Sequence, residues 1–425
     1  MRFLAVLFIV AALAGLWAGA AAAGPGDSLA ACATCHAGAA QEWAASTHAA
    51  AGQSDVFLRL VAAGRAMPTD WSKEGCLRCH SPLRESDAAA LSGIPCQVCH
   101  GIASVDGIGN GAFRLASDGI LRGATASQTP HITLALDALT ESRFCAACHE
   151  QFHPVTGVPL QTTYSEWLNS PAAAAGNSCQ DCHMRGGAGV GHAMGASASD
   201  AAAKAGALAR AISLDVQSPE TATAGRHVVV EVALQNEGAG HALPTGKNEG
   251  GEMWLEFAAS GADGTVLYQE RLSYGVVYDD AEGKHDVPLT LWDAARIFAD
   301  RRLQPGRALA EQFAFAVPVE MRGDIRVNVA LMYRAAPAWL TENLSLPAVD
   351  AFPVHRASAT LRVLEPPPAP TYVLPTPVPT PLPLHTVYNG TGVRAEAQDW
   401  VMPVLIAGGV LLVIVALWAV RRRAV

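Results

Sequence analysis

Three patterns of apolar and polar positions divide the chain. Over residues 206–365 the two kinds alternate, as in Val228-Val229-Val230-Glu231-Val232-Ala233-Leu234, Ile325-Arg326-Val327-Asn328-Val329-Ala330-Leu331 and Ala359-Thr360-Leu361-Arg362-Val363. A period of two predicts half-buried strands, with Gly and Asn marking the turns, and six to eight of them in about 150 residues predict an antiparallel β-sandwich. Residues 24–205 hold neither period for long and are rich in Ala and Gly, which predicts short helices and irregular loops. Two unbroken apolar runs complete the pattern. The first follows Arg2 and ends near Ala21-Ala22-Ala23, the form of a secretory signal over residues 1–23.

The second run, residues 400–420, is uncharged and would make a helix of about 31 Å, one bilayer core thick. Trp400 and Trp418 sit near its ends, and Arg421-Arg422-Arg423 follow at once. The arginines predict a cytoplasmic tail at residues 421–425 and an external body, periplasmic or extracellular, on a single C-terminal transmembrane helix. Residues 366–399 read as a linker, with nine prolines among residues 366–383. Such a tract stays extended as polyproline II and spans roughly 55 Å.

Charge and composition narrow the classes. Lys plus Arg is 29 against 38 Asp plus Glu, a net charge of -9. Four of those arginines flank the apolar ends, so the rest of the chain carries 25 positive and 38 negative charges, a net of -13. That excludes a nucleic-acid binder and suits a basic protein partner. Aromatics are only 6%, thin for several side-chain cores, so something else must fill part of the interior.

The ten cysteines say what. All fall in five C-x-x-C-H motifs: Cys32-Ala-Thr-Cys35-His36, Cys76-Leu-Arg-Cys79-His80, Cys96-Gln-Val-Cys99-His100, Cys145-Ala-Ala-Cys148-His149 and Cys179-Gln-Asp-Cys182-His183. Two thiols at this spacing each add to one vinyl group of a haem, and the adjacent histidine reaches the iron. A disulfide framework or a zinc ribbon needs no histidine after every second cysteine. The motifs therefore predict five covalently attached c-type haems as the core of a mainly α and irregular multihaem domain. The motif starts step by 44, 20, 49 and 34 residues, so no strict repeat is visible. One echo exists: Glu42-Trp43-x-x-Ser46 after the first motif and Glu166-Trp167-x-x-Ser170 before the fifth, with His48 in the first copy where the second has Ala172.

A second histidine on an iron makes a low-spin electron carrier, and an open position makes a candidate catalyst. The candidates for that second ligand in the motif-bearing segment are His48, His131, His153 and His192. His48 lies on a predicted helix just after the first motif, His131 in a loop before the fourth, and His192 after a glycine-rich loop that can fold back closely. His153, four residues past His149, is a ligand to a neighbouring haem or a hydrogen-bond donor to a propionate. His241, between glycines at a strand end of the sandwich, is either a fifth ligand pushed in from the β-domain or part of an ordinary turn.

These stretches resemble the exported multihaem cytochromes grouped with cytochrome c-554 and hydroxylamine oxidoreductase. The resemblance is carried by Cys32–His36 with Glu42-Trp43-x-x-Ser46-x-His48, by Gly93-Ile94-Pro95-Cys96-x-x-Cys99-His100-Gly101, and by Tyr164-Ser165-Glu166-Trp167 leading to Cys179–Met184. Gly240-His241-x-x-Pro244-Thr245-Gly246 and Asp300-Arg301-Arg302-Leu303-Gln304-Pro305-Gly306 are similar to the β-domain attached to some of them. The resemblance implies stacked, mostly bis-histidine haem pairs that pass electrons, supports His48 as a distal ligand, and favours His192 and His241. It carries over no catalytic residue. The expected function is a membrane-anchored pentahaem relay in an exported respiratory chain, with donor and acceptor redox proteins as partners or as a subunit of a respiratory complex. The competing expectation is an oxidoreductase with one open haem, acting on nitrogen or sulfur oxyanions or hydroxylamine.

Overall fold

The computed structural model describes residues 28–67, 72–83, 93–128, 130–185, 191–194, 200–285 and 291–366. They belong to one compact unit, Met1–Pro367. The predicted signal, nearly all of the proline-rich linker and the apolar run at residues 400–420 lie outside the described residues. Among the described residues no helix is long and apolar enough to cross a membrane.

The period-two segment folds into two stacked sheets, with a separate two-stranded ribbon of Val276–Asp279 and Arg296–Asp300. The strands of the stacked sheets are β1 (Ile212–Gln217), β2 (Thr221–Thr223), β3 (His227–Asn236), β4 (Glu252–Gly261), β5 (Val266–Tyr274), β6 (Ala308–Ala316), β7 (Ile325–Arg334) and β8 (Ala351–Leu364). One sheet has the order β5-β4-β7-β8-β2 and the other β6-β3-β1. Alternation does the sorting: in β7, Ile325, Val327, Val329 and Leu331 are buried while Arg326 and Asn328 face outward. Phe257 of β4 stacks on Phe313 of β6 at 4.1 Å between ring centres, joining the sheets through the core. The expectation of a wholly antiparallel sandwich needs one correction. β8 pairs in parallel with β2, Arg362 opposite Thr221, because the entering and leaving strands run the same way at one sheet edge.

Residues 28–183 form short helices and ribbons. The longest helix there, Asp55–Ala66, has 12 residues and is capped by Ser54, whose hydroxyl accepts the Phe57 N–H. Side chains supply little core here. The buried apolar groups gather mainly in small clusters, such as Val61 with Cys76 and Leu77, and Ile102 with Phe113 and Ala147. The helix Ala201–Ala211, capped by Asp200, leads directly into β1. Further ties join the two regions: Tyr278 donates to the Pro159 carbonyl at 3.0 Å, and Val158 and Leu160 pack with Leu291 and Ala294.

Candidate functional site

Each C-x-x-C-H motif occupies a single helical turn or its edge, which brings its two thiols to one side with the histidine just beyond. The motifs sit on Ser28–Cys35, on the π-turn Lys73–Leu77 running into Arg78–His80, on Cys96–Gly101, on Ser142–Ala146 with the turn after it, and on Cys179–His183. Motifs distant in sequence meet through their cysteines. Cys32 lies near Cys96, Cys79 near Cys148, and Cys145 near Cys179. Cys99 lies in the neighbourhood of Cys145 and Cys148. The fourth motif thus adjoins the second, third and fifth, and the first is reached through the third.

Four motif histidines face a second histidine. Ring centres lie 6.3 Å apart for His36 and His131, 6.0 Å for His48 and His149, 6.3 Å for His100 and His192, and 6.2 Å for His183 and His241. Two imidazoles bound to opposite sides of one metal, with metal–nitrogen bonds of about 2 Å, put their ring centres about 6 Å apart. Four separations of this size, each beside a thiol pair, fit a haem. Backbone bonds fix several rings with Nδ1 turned away from the partner: His100 Nδ1 donates to the Arg122 carbonyl at 2.7 Å and His241 Nδ1 to the Ala242 carbonyl at 3.0 Å. Such bonds leave Nε2 as the metal ligand. Burial, then the charge of His48, pulls His149 down to about 4, so the ring is in the neutral form a metal binds.

Residues 31–101 match the model of the family described as cytochrome c554 and c-prime. The chain is a multihaem c-type cytochrome. Its five motifs attach five haems, here numbered I to V in motif order. A penta-haem cytochrome c552 from Thermochromatium tepidum superposes with a TM-score of 0.61 at 22% identity, covering 79% of this chain and 98% of that one. At that identity the likeness speaks for the fold, and it spans both the haem segment and the sandwich. A CARDB domain from Pyrococcus furiosus covers 36% of this chain and 87% of its own at 14% identity, but its TM-score of 0.20 carries no weight. No curated protein sequence matches the cytochrome.

His153, a sixth-ligand candidate by sequence, is placed elsewhere. Its Nδ1 accepts the Val155 and Thr156 N–H groups at 3.1 and 3.0 Å, and its Nε2 lies 3.2 Å from the Trp292 carbonyl. Both ring nitrogens are engaged in tying a turn to the sandwich, so the ring is not offered to an iron. His80 is the exception among motif histidines. It stacks on Phe57 at 4.4 Å, Nδ1 bonded to the Ala51 carbonyl at 2.9 Å, and no second imidazole faces it among the described residues. Burial first and Lys247 second lower His80 to about 4. Of the remaining histidines, His285 pairs with Asp279, His355 bonds the Ile212 carbonyl, His227 is exposed at the start of β3, and His385 lies outside the described residues.

Several residues that position the site carry no sequence signal of their own. Glu150, fully buried beside His149, accepts the Ser165 hydroxyl at 2.6 Å and the Ser165 N–H at 3.1 Å. Gln151 donates to the Gly75 carbonyl at 2.7 Å, joining the fourth motif to the second. Gly93, at φ 71°, lies so close to the His48 turn that a β-carbon would stand 2.6 Å from the Ala49 oxygen and 2.9 Å from the His48 oxygen. Gly93→Ala is therefore expected to destabilise that turn by about 1–3 kcal/mol. Haem IV should become partly high-spin in the oxidised absorption spectrum, and an unchanged spectrum would show that the turn yields without moving His48.

Proposed function

We propose that the cytochrome is an exported, membrane-tethered electron carrier with four bis-histidine haems. The observation that carries this reading is the set of four histidine pairs at 6.0–6.3 Å. Bound haem supplies reversible one-electron exchange between ferric and ferrous iron. The chain's part is to hold both axial imidazoles and to order the attachment points. The neighbouring cysteines support an order with I beside III, III beside IV, and II and V beside IV. The penta-haem content of the Thermochromatium tepidum protein agrees with the five motifs. A signal at residues 1–23, the proline-rich linker and an anchor at residues 400–420 support an external body held off the membrane. The acidic body, net -13 outside the flanking arginines, favours a basic redox partner.

His80 favours a second reading for haem II alone. With no imidazole opposite it among the described residues, and the positive charge of Lys247 acting on both Cys79 and His80, this haem suits a small anionic ligand such as a nitrogen oxyanion. EPR of the oxidised, haem-loaded protein tests both readings. Four low-spin haems and one high-spin haem that responds to nitrite or cyanide are expected. Five low-spin haems indifferent to either ligand would remove the second reading, and two or more high-spin haems would remove the four-pair relay.

A further inference from the structure

We infer that Glu42 and Glu166 are positioning residues, each gripping the backbone of a loop that presents a distal histidine, and that the repeated Glu-Trp-x-x-Ser segment is the bracket of a duplicated two-haem unit. The inference rests on the bis-histidine reading above.

The two copies share three kinds of bond. In the first, Glu42 and Trp43 lie on the helix Ala37–Ala44 that follows the first motif, and in the second Glu166 and Trp167 lie on Thr163–Leu168 beyond the fourth. Ser46 then caps Thr47–Ala50 by accepting the Ala49 N–H, and Ser170 caps Pro171–Ala174 by accepting the Ala173 N–H, both at 3.3 Å. The tryptophans reach forward to the next motif of the pair. Trp43 Nε1 donates to the Ile94 carbonyl at 2.8 Å and Trp167 Nε1 to the Asn177 carbonyl at 2.9 Å. Ile94 and Asn177 each stand two residues before the first cysteine of that motif. The cysteines of each pair also lie near each other, Cys32 with Cys96 and Cys145 with Cys179.

The glutamates reach the other way, to the distal side. Glu42 Oε2 accepts the His192 N–H at 2.7 Å, and Glu166 Oε2 accepts the Ala242 N–H, next to His241, at 3.1 Å. His192 faces His100 and His241 faces His183, the histidines of the very motifs whose lead-in the tryptophans hold. One short helix per unit therefore fixes both sides of one haem: its Trp holds the proximal motif and its Glu holds the distal loop. Glu166 additionally receives Arg302, Thr162 and Thr245, and the change of His48 to Ala172 fits the same scheme. A β-carbon on Gly240, just before His241, would lie 2.9 Å from the Ala172 β-carbon and 3.4 Å from Trp167 Cδ1. The His241 loop crosses directly over Ala172, so a residue as large as His48 has no room at that position.

The test uses the haem-loaded full chain with Glu42→Gln, Glu42→Asp, Glu166→Gln and Glu166→Asp, and with His192→Ala and His241→Ala as references. Gln keeps the reach and an acceptor oxygen; Asp keeps the charge but is one methylene short. The glutamine variants should stay low-spin, although Glu166→Gln also gives up the ion pair with Arg302 and should melt lower, so a change of spin state is judged only where the variant is folded. The aspartate variants should shift haem III or haem V toward the high-spin signal of the matching histidine variant, and cyanide should bind that haem about tenfold faster, the scale of one lost hydrogen bond to a charged group. High-spin haems in the histidine variants, with aspartate variants identical to the parent in spectrum and cyanide rate, would overturn the positioning role. The reverse order, Asp silent and Gln disruptive, would overturn it in favour of a purely electrostatic role. If His192→Ala and His241→Ala leave every haem low-spin, the bis-histidine reading fails instead.

Discussion

His48→Met is expected to keep haem IV six-coordinate while raising its reduction potential, because a thioether in place of one imidazole stabilises the ferrous state. Haem IV is where that change matters most. Its attachment cysteines lie near those of haems II and V, and Cys99 of haem III is in the same neighbourhood. Each 59 mV by which haem IV rises above its neighbours makes onward one-electron transfer about tenfold less favourable. Electrons entering at haem I should therefore collect on haem IV, and reduction of the remaining haems in a stopped-flow experiment should slow by about tenfold or more. His131→Met at haem I, which among the described residues adjoins the array where Cys32 lies near Cys96, should change its own potential and leave transfer among the other four intact. The ring planes supply an independent marker. His48 and His149 are crossed at 88°, whereas His183 and His241 are tilted by only 20°. Crossed rings leave the two iron orbitals that overlap them nearly equal in energy, so ferric haem IV should give a strongly anisotropic low-spin EPR signal. His48→Met should remove that signal selectively. Loss of another signal, or equal slowing by His131→Met, would refute the central place of haem IV.

What the sequence discloses here is whatever local spacing determines. A thiol pair and its histidine lie within one helical turn, and a strand buries alternate residues, so both the five motifs and the sandwich can be read directly. The distal side of a haem is a different case. The proximal histidine is next to its cysteines, but a chain must pass around a whole macrocycle to reach the opposite face. That ligand therefore comes from elsewhere in the fold. His48 follows the first motif yet faces His149 of the fourth, and His192 follows the fifth yet faces His100 of the third. His131, just before the fourth motif, faces His36 of the first. His153, four residues from His149, where a helix would put both on one face, is instead in a turn with both nitrogens engaged. The Glu-Trp-x-x-Ser echo was visible as a repeat, but the loops its glutamates hold arrive from 150 and 76 residues away. Spacing along the chain carries no record of such partners.

Arg302→Met should be the most destabilising single change outside the motifs. Arg302 reaches from the sandwich to Glu166, the two side chains being only 7% and 6% exposed, and its other arm binds Asp300 at 2.7 Å. Glu166 in turn receives the Thr245 hydroxyl at 2.8 Å and the Ala242 N–H, so this one carboxylate links helix, sandwich and the His241 loop. Removing the guanidinium leaves a buried carboxylate without its counter-charge, which costs about 3–5 kcal/mol. At about 2–4 °C per kcal/mol for a unit of this size, the melting temperature should fall by about 6–20 °C. Arg302→Lys keeps the charge but not the planar fork, and should fall between. The decisive comparison is Arg302→Met combined with Glu166→Gln. If the cost is an uncompensated charge, removing that charge as well should restore part of the lost stability while the glutamine oxygen still receives its N–H. If the cost is lost packing, the double variant should melt no higher than Arg302→Met alone. Following the melt through both haem absorbance and far-ultraviolet circular dichroism locates the effect. Because the lost contact lies at the junction, the haem V environment should change before the sandwich unfolds, and coincident transitions would show instead that the junction and the sandwich melt as one.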